Sequence, residues 1–162
     1  TRKVVTRYTC YPSFALRDMA ERASRLFYRK AGKNPYGIVE GILELAANRA
    51  GPNEFLYFEA DEENTERNSF SINVYIAGLR MAEIYPLLLE MVRHYSVPAE
   101  PFHRMYETAK TQFLGNVAGG IDRVGRDFLT LYFSDKGSTR GRLMGYGSDG
   151  TDGQADDERR QD

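Results

Sequence analysis

The spacing of apolar residues changes along the chain and separates helical segments from extended ones. Apolar residues recur every three or four positions in two early segments, Phe14–Gly32 and Pro35–Gly51, which predicts two amphipathic helices. The helical period then stops, and residues that fit a pleated, half-buried surface (Phe, Tyr, Val and Ile) predict two strands, Phe55–Ala60 and Ser69–Ile76. The residues between these strands, 61–68, are all polar and predict an exposed hairpin connection.

The same order of elements follows a second time. Leu79–Tyr95 has helical spacing with Pro86 inside it, so this helix should bend or split at the proline. Phe102–Leu114 predicts a further helix. Asp127–Ser134 then predicts a strand, and Arg140–Tyr146 is a candidate for the next one.

Two other segments complete the predicted fold. Thr1–Thr9 alternates basic and β-branched residues and predicts an edge strand or an arm, while the glycines of Gly115–Gly120 favour a turn. The sequence therefore predicts an α+β fold in which antiparallel strand pairs alternate with helix pairs as ααββ repeats. The helices are expected on one face of the sheet.

Charge divides the chain unequally. The 162 residues carry a net charge of −1. Ser148–Asp162 contains six acidic residues and two arginines, a net of −4, so residues 1–147 carry +3. The segment also has no apolar residue larger than Ala155. Together these features predict a single α+β domain over residues 1–147 and a disordered acidic tail over residues 148–162.

Composition also limits the classes of function. The lone Cys10 excludes an intramolecular disulfide, and we expect a cytoplasmic protein. No apolar run reaches the roughly 18 residues of a membrane span. The two histidines, His94 and His103, belong to no metal-binding motif, and a charge of +3 gives little reason to expect nucleic acid. The sequence therefore predicts neither a cofactor nor a metal.

Two strand segments share a pattern that bears on function. Each places a polar residue two positions before a tyrosine, Asn73 with Tyr75 and Thr130 with Tyr132, so both members share one strand face. One interpretation is the solvated face of an ordinary sheet. The other is the wall of a polar, aromatic-lined cavity.

The second of these segments resembles a known enzyme family. Gly120-Ile121-Asp122, then Arg126, then Leu129–Phe133 resembles a strand of the aromatic prenyltransferases with the antiparallel αββα barrel, and Asn73-Val74-Tyr75 resembles the same strand. The resemblance lies within residues 55–134.

This resemblance implies a role for each matching residue. Arg126 would bind the diphosphate of an allylic donor, and Asn73 or Thr130 would be the polar substrate-binding residue. Tyr75 and Tyr132 would be catalytic, shielding the prenyl cation until an aromatic acceptor attacks it.

The chain departs from the family in strand number, because those barrels have ten strands and this sequence predicts three to five. A partial prenyltransferase-type barrel would need a second copy or a partner protein to complete its cavity, so a homo-oligomer or a hetero-complex is expected. The alternative is a non-catalytic protein-interaction module, such as a chaperone or assembly factor, that works through a sheet edge or a helix face.

Overall fold

The computed structural model describes residues 4–12, 14–27, 35–51 and 53–136. Over these ranges the protein has one five-stranded antiparallel sheet and four α-helices, which confirms the predicted α+β class with antiparallel strands. The strands are β1 Thr6–Tyr11, β2 Leu56–Glu62, β3 Asn68–Asn73, β4 Phe113–Ile121 and β5 Asp127–Ser134. The helices are α1 Leu16–Phe27, α2 Tyr36–Ala47, α3 Tyr85–His94 and α4 Ala99–Ala109. Two 3₁₀ helices, Tyr75–Ala77 and Met81–Ile84, precede α3.

The strands lie side by side in the order in which they occur along the chain, and each is antiparallel to its neighbours. One helix pair connects β1 to β2 and the other connects β3 to β4. Helix pairs thus alternate with strand pairs. β1 and β5 are the edges of the sheet.

The helices contact one face of the sheet, where the apolar residues of the strands are gathered. Phe27 at the end of α1 meets Phe70 of β3 edge-on, with ring centroids 5.9 Å apart. Beside Phe70 on this face, Ile72 and Val117 are opposite each other in the register and fully buried. Burial of an aliphatic or aromatic side chain of this size contributes about 1.5–3 kcal/mol, so this face is the main source of the sheet's stability.

One carboxylate on the covered face is held by α1. Glu59 accepts hydrogen bonds from Nε and Nη2 of Arg22 at 2.6 and 2.8 Å, and from the hydroxyl of Tyr57 at 2.9 Å. The Arg22 guanidinium lowers the pKa of Glu59, and burial raises the pKa of the Tyr57 hydroxyl. At neutral pH Glu59 is therefore an anion with its acceptor positions used inside the protein.

The glycine-rich segment Gly115–Gly120 is a strand, and the prediction of a turn there was wrong. A Cβ on Gly119 would lie 3.1 Å from the ring of Phe27 and 3.0 Å from Leu129. Gly120 has φ +139°, and a Cβ there would lie 2.3 Å from the carbonyl oxygen of Asn68. The glycines of β4 are thus required by close packing within the sheet and against α1.

The strand predicted as Ser69–Ile76 stops at Asn73. The Asn73 side chain accepts the backbone N–H of Tyr75 at 3.1 Å, and the N–H of Val74 donates to the carbonyl oxygen of Gly115. This Asx-type turn leads into the first 3₁₀ helix, which ends at Gly78 with φ +59°. Tyr75 therefore lies outside the strand.

One further prediction can be compared with the structure, and three others concern residues that the structure does not describe. Pro86 is at the start of α3, just after the second 3₁₀ helix, so the long helix is split there as expected. The predicted end of the first helix at Gly32, the candidate strand Arg140–Tyr146 and the segment 148–162 lie outside the described residues. None of the described helices is long and apolar enough to cross a membrane.

Candidate functional site

A groove of about 370 Å³ lies on the sheet face opposite the helices. The strand register places three rows of side chains across this open face, from β1 towards β5. The first row is Tyr8, Ala60, Ser69, Gly120 and Phe128. The second is Cys10, Phe58, Ser71, Ala118 and Thr130, and the third is Leu56, Asn73, Asn116 and Tyr132.

The shape of the groove follows from residue size along these rows. Small residues occupy the central strands, whereas aromatic rings stand on the strands at either side, Tyr8 and Phe58 towards β1 and Phe128 and Tyr132 on β5. The result is a channel with a floor of small and polar groups between two aromatic walls. A site of this size and lining suits a small, mainly apolar ligand.

A charged cluster lies at the hairpin end of the open face. The fully buried carboxylate of Glu62 accepts hydrogen bonds from Arg67 at 2.6 Å, from Arg123 at 2.7 and 2.8 Å, and from the Thr6 hydroxyl at 3.2 Å. The Arg123 and Arg67 guanidinium groups lower the pKa of Glu62 to about 2. Arg67 also lines the groove. Arg67 and Arg123 thus share one carboxylate, so neither guanidinium has all of its donors used by Glu62.

Three of the residues singled out from the sequence lie on the open face. Tyr132 lines the groove with 55% of its surface exposed, and Thr130 follows the same strand face two residues earlier. Asn73 is opposite Asn116 on this face, but its side-chain oxygen is used by the turn at Tyr75.

The other two candidates, Tyr75 and Arg126, lie outside the strands. Tyr75 packs against Gly115, and its hydroxyl forms a hydrogen bond with the Ser134 hydroxyl at the end of β5. Arg126 lies in the β4–β5 connection, where it is exposed and pairs with Asp122 at 3.0 Å. Of the five candidates, only Tyr132 lines the groove; Thr130 and Asn73 share its face of the sheet, and Arg126 lies in the hairpin.

Sequence reasoning missed most of the groove. Ser69, Phe58 and Phe128 sit in strands that were predicted, and alternation alone could have placed them on the face shared by Thr130 and Tyr132. Asn116 was hidden because its strand was read as a turn. Arg67 was assigned to a solvated loop, and no sequence signal places it beside the groove.

A second groove, also about 370 Å³, lies on the helix side next to β5 and is almost wholly apolar. Its sheet side is formed by β5 alone, and the rest comes from α3, α4 and the segments around them. The residues that line it are Met81, Leu88, Met91, Val92, Val97, Pro101, Phe102, Met105, Leu129, Thr130, Leu131 and Phe133.

Within residues 4–12, 14–27, 35–51 and 53–136, no group of three or more His, Cys, Asp or Glu residues is placed to hold a metal ion. No protein-family model, no curated protein and no solved structure matches this chain.

Proposed function

We propose that this chain is a shortened relative of the aromatic prenyltransferases, which binds an allylic diphosphate on its open sheet face and transfers the prenyl group to an aromatic acceptor. The observation that carries the proposal is the aromatic-walled groove with an arginine at one end. The resemblance around Asp122, Arg126 and Tyr132 adds to it.

The aromatic walls suit a carbocation. When the allylic C–O bond breaks, the diphosphate leaves with the electron pair and a positive charge forms on the prenyl carbon. The π faces of Tyr8, Phe58, Phe128 and Tyr132 would stabilise that charge. An electron-rich acceptor ring then forms the new C–C bond, and the ring proton passes to solvent or to the released diphosphate.

The leaving group would be bound at the Arg67 end. Arg67 lines the groove while one of its nitrogens pairs with Glu62, so its remaining donors are available for a phosphate oxygen. Arg123 also holds Glu62, so that the carboxylate keeps a partner when Arg67 engages a ligand. In this arrangement Arg67 takes the place that the sequence resemblance gives to Arg126.

Titration with a non-hydrolysable analogue, geranyl S-thiolodiphosphate, followed by calorimetry, tests the proposal. We expect binding that weakens at least tenfold in Arg67→Met and several-fold in Tyr132→Ala, because each removes one part of the groove. Arg104→Met is the matched control, since Arg104 is an exposed arginine on α4 that pairs with Glu100. Equal affinity in all three variants, or no binding, would contradict the proposal.

An Arg126→Met variant separates the two assignments of the diphosphate site. If its affinity falls as far as that of Arg67→Met, both arginines reach the ligand. If only Arg126→Met loses binding, the resemblance gives the right residue and the Arg67 assignment is wrong. Incubation with geranyl diphosphate and a dihydroxynaphthalene acceptor, read by mass spectrometry, then tests the transfer step.

A protein-interaction module is the second candidate function, and the apolar groove beside β5 favours it. An open edge strand next to an apolar depression is the arrangement used when an extended segment adds to a sheet. If the analogue does not bind the wild-type chain, this second candidate is the one that remains.

A further inference from the structure

Among the described residues, the outer edge of β5 lacks the charges and prolines that keep edge strands apart. No described strand pairs with it, and from Phe128 to Ser134 it carries no charge and no proline. The opposite edge, β1, carries Arg7, which pairs with Asp61 and Glu63. Charged residues on an edge oppose the addition of another strand, so β5 is the more open of the two edges.

β5 also has exposed side chains on both faces of the sheet. Phe133 and Tyr132 are 37% and 55% exposed, and they point to opposite faces of the sheet. On the helix side, Leu129, Leu131 and Phe133 form the sheet wall of the apolar groove. An added strand would bring new side chains to the rim of that groove.

We infer that the added strand is β5 of a second copy of this chain, paired antiparallel across a two-fold axis at Thr130. In this register Thr130 is opposite Thr130 of the second copy. Leu129 is then opposite Leu131 of the second copy, and Phe128 is opposite its Tyr132. The apolar residues therefore meet on the helix side, and an aromatic pair forms on the groove side. Both are favourable cross-strand pairs.

The positions of charged residues favour this register over the one centred on Leu131. Centred on Thr130, the pairing places Asp127 opposite Phe133 of the second copy and Arg126 opposite Ser134. Centred one residue later, on Leu131, it would place Asp127 opposite Asp135 and Arg126 opposite Lys136. Like charges directly opposite one another destabilise a strand pair, so the register at Thr130 gives the longest compatible overlap.

The pairing also changes the open-face groove. It places Phe128 and Tyr132 of the second copy beside the same residues of the first, so that two grooves join into one surface across the axis. An isologous interface of this kind closes on itself and stops at a dimer. The inference goes beyond the proposed function, and its test uses no ligand.

Disulfide trapping tests the register. In a Cys10→Ser background, Thr130→Cys should form a covalent dimer on mild oxidation, because directly opposed residues have Cα atoms about 4.5–5.5 Å apart, within disulfide range. The wild-type chain is the control, since its one cysteine is exposed on the opposite edge strand. A second control is Val124→Cys in the same background, an exposed site in the hairpin.

Sedimentation equilibrium of the full chain at micromolar concentration should give twice the monomer mass of 18.5 kDa. Thr130→Lys should raise the dimer dissociation constant about threefold or more, because it places two like charges opposite each other on the two-fold axis. Position 130 is partly exposed, so the fold of each copy should tolerate the lysine. A wild-type monomer throughout, or cross-linking through Cys10 rather than position 130, would overturn the inference.

Discussion

At the scale of single residues, contacts with distant parts of the chain determine conformation and burial more than local conformational preference does. Gly120 lies where β3 and β4 leave no room for a side chain and where the backbone adopts a conformation that other residues avoid. Glu62 is in a sequence of polar residues, yet its carboxylate is fully buried, and four donor side chains, Thr6, Thr65, Arg67 and Arg123, surround it. Neither property can be read from the neighbours of these residues in the chain.

Gly120→Ala should destabilise the protein by about 3 kcal/mol or more, because the new Cβ meets backbone rather than a movable side chain. Gly37→Ala is the matched control. It lies in the first turn of α2, where a new methyl group would have no other atom within 4 Å, and the change should be neutral or stabilise by up to about 1 kcal/mol. Urea denaturation measures both, and equal effects would refute the packing argument.

Glu62 should make stability depend on acid pH. Its pKa in the folded protein, about 2, is below the ordinary value of a glutamate, so its contribution is present above about pH 5 and is lost as the pH falls towards 2. Glu62→Gln should lower Tm at neutral pH, and the difference from wild type should narrow on acidification. Thermal melts from pH 7 to pH 2 follow this difference. A constant gap in Tm would show that the charge of Glu62 is not responsible.

Elements with strong local signals were predicted well, and those shaped by contacts were not. β5 matches the predicted strand Asp127–Ser134 residue for residue, because it is rich in aromatic residues and contains a threonine, and both types favour extended backbone. Pro86 marks the start of α3, since a proline fits the first turn of a helix. The glycine-rich part of β4 was read as a turn, although its glycines are required by close packing. Tyr75 was read as a strand residue, because the turn before it depends on a single side chain, that of Asn73.

Asn73 ends β3 through its side chain, which gives a prediction for this element. Asn73→Ala should cost about 1 kcal/mol, the typical net value of one hydrogen bond, because the N–H of Tyr75 loses its acceptor. Asn73→Asp keeps an oxygen in place and should cost less. Chemical denaturation of the pair gives the comparison. A larger loss in the aspartate variant would mean that the amide has another role.

At the scale of the whole molecule, the helices cover one face of the sheet and leave the other face open. The sequence predicted that Thr130 and Tyr132 share one face of β5, and Tyr132 is part of the groove wall. It did not predict that Tyr8 or Arg67 would lie beside the groove, because Tyr8 is brought there by the pairing of β1 with β2, and Arg67 lies in the hairpin between β2 and β3. Arg126 was singled out by a motif, and a motif carries no information on which way a hairpin residue turns.

The two faces should respond differently to the same substitution. Phe70→Ala on the covered face should destabilise by about 3–5 kcal/mol, since Phe70 is 2% exposed and contacts Phe27. Phe58→Ala on the open face, where the ring is 37% exposed, should cost about 1 kcal/mol or less. Comparison of the two unfolding midpoints tests the assignment of faces. Similar losses would mean that the open face is covered in solution.

The glycines of β4 also bear on the order of events in folding. Three of the nine residues of β4 are glycines, which have a low propensity for extended structure, so we expect β4 to join the sheet only after β3 and α1 are in place. Destabilising changes in β4, such as Gly119→Ala, should then speed unfolding and leave the folding rate almost unchanged, whereas Ile72→Val in β3 should slow folding. Stopped-flow chevron plots of the two variants distinguish this order from simultaneous formation of the whole sheet.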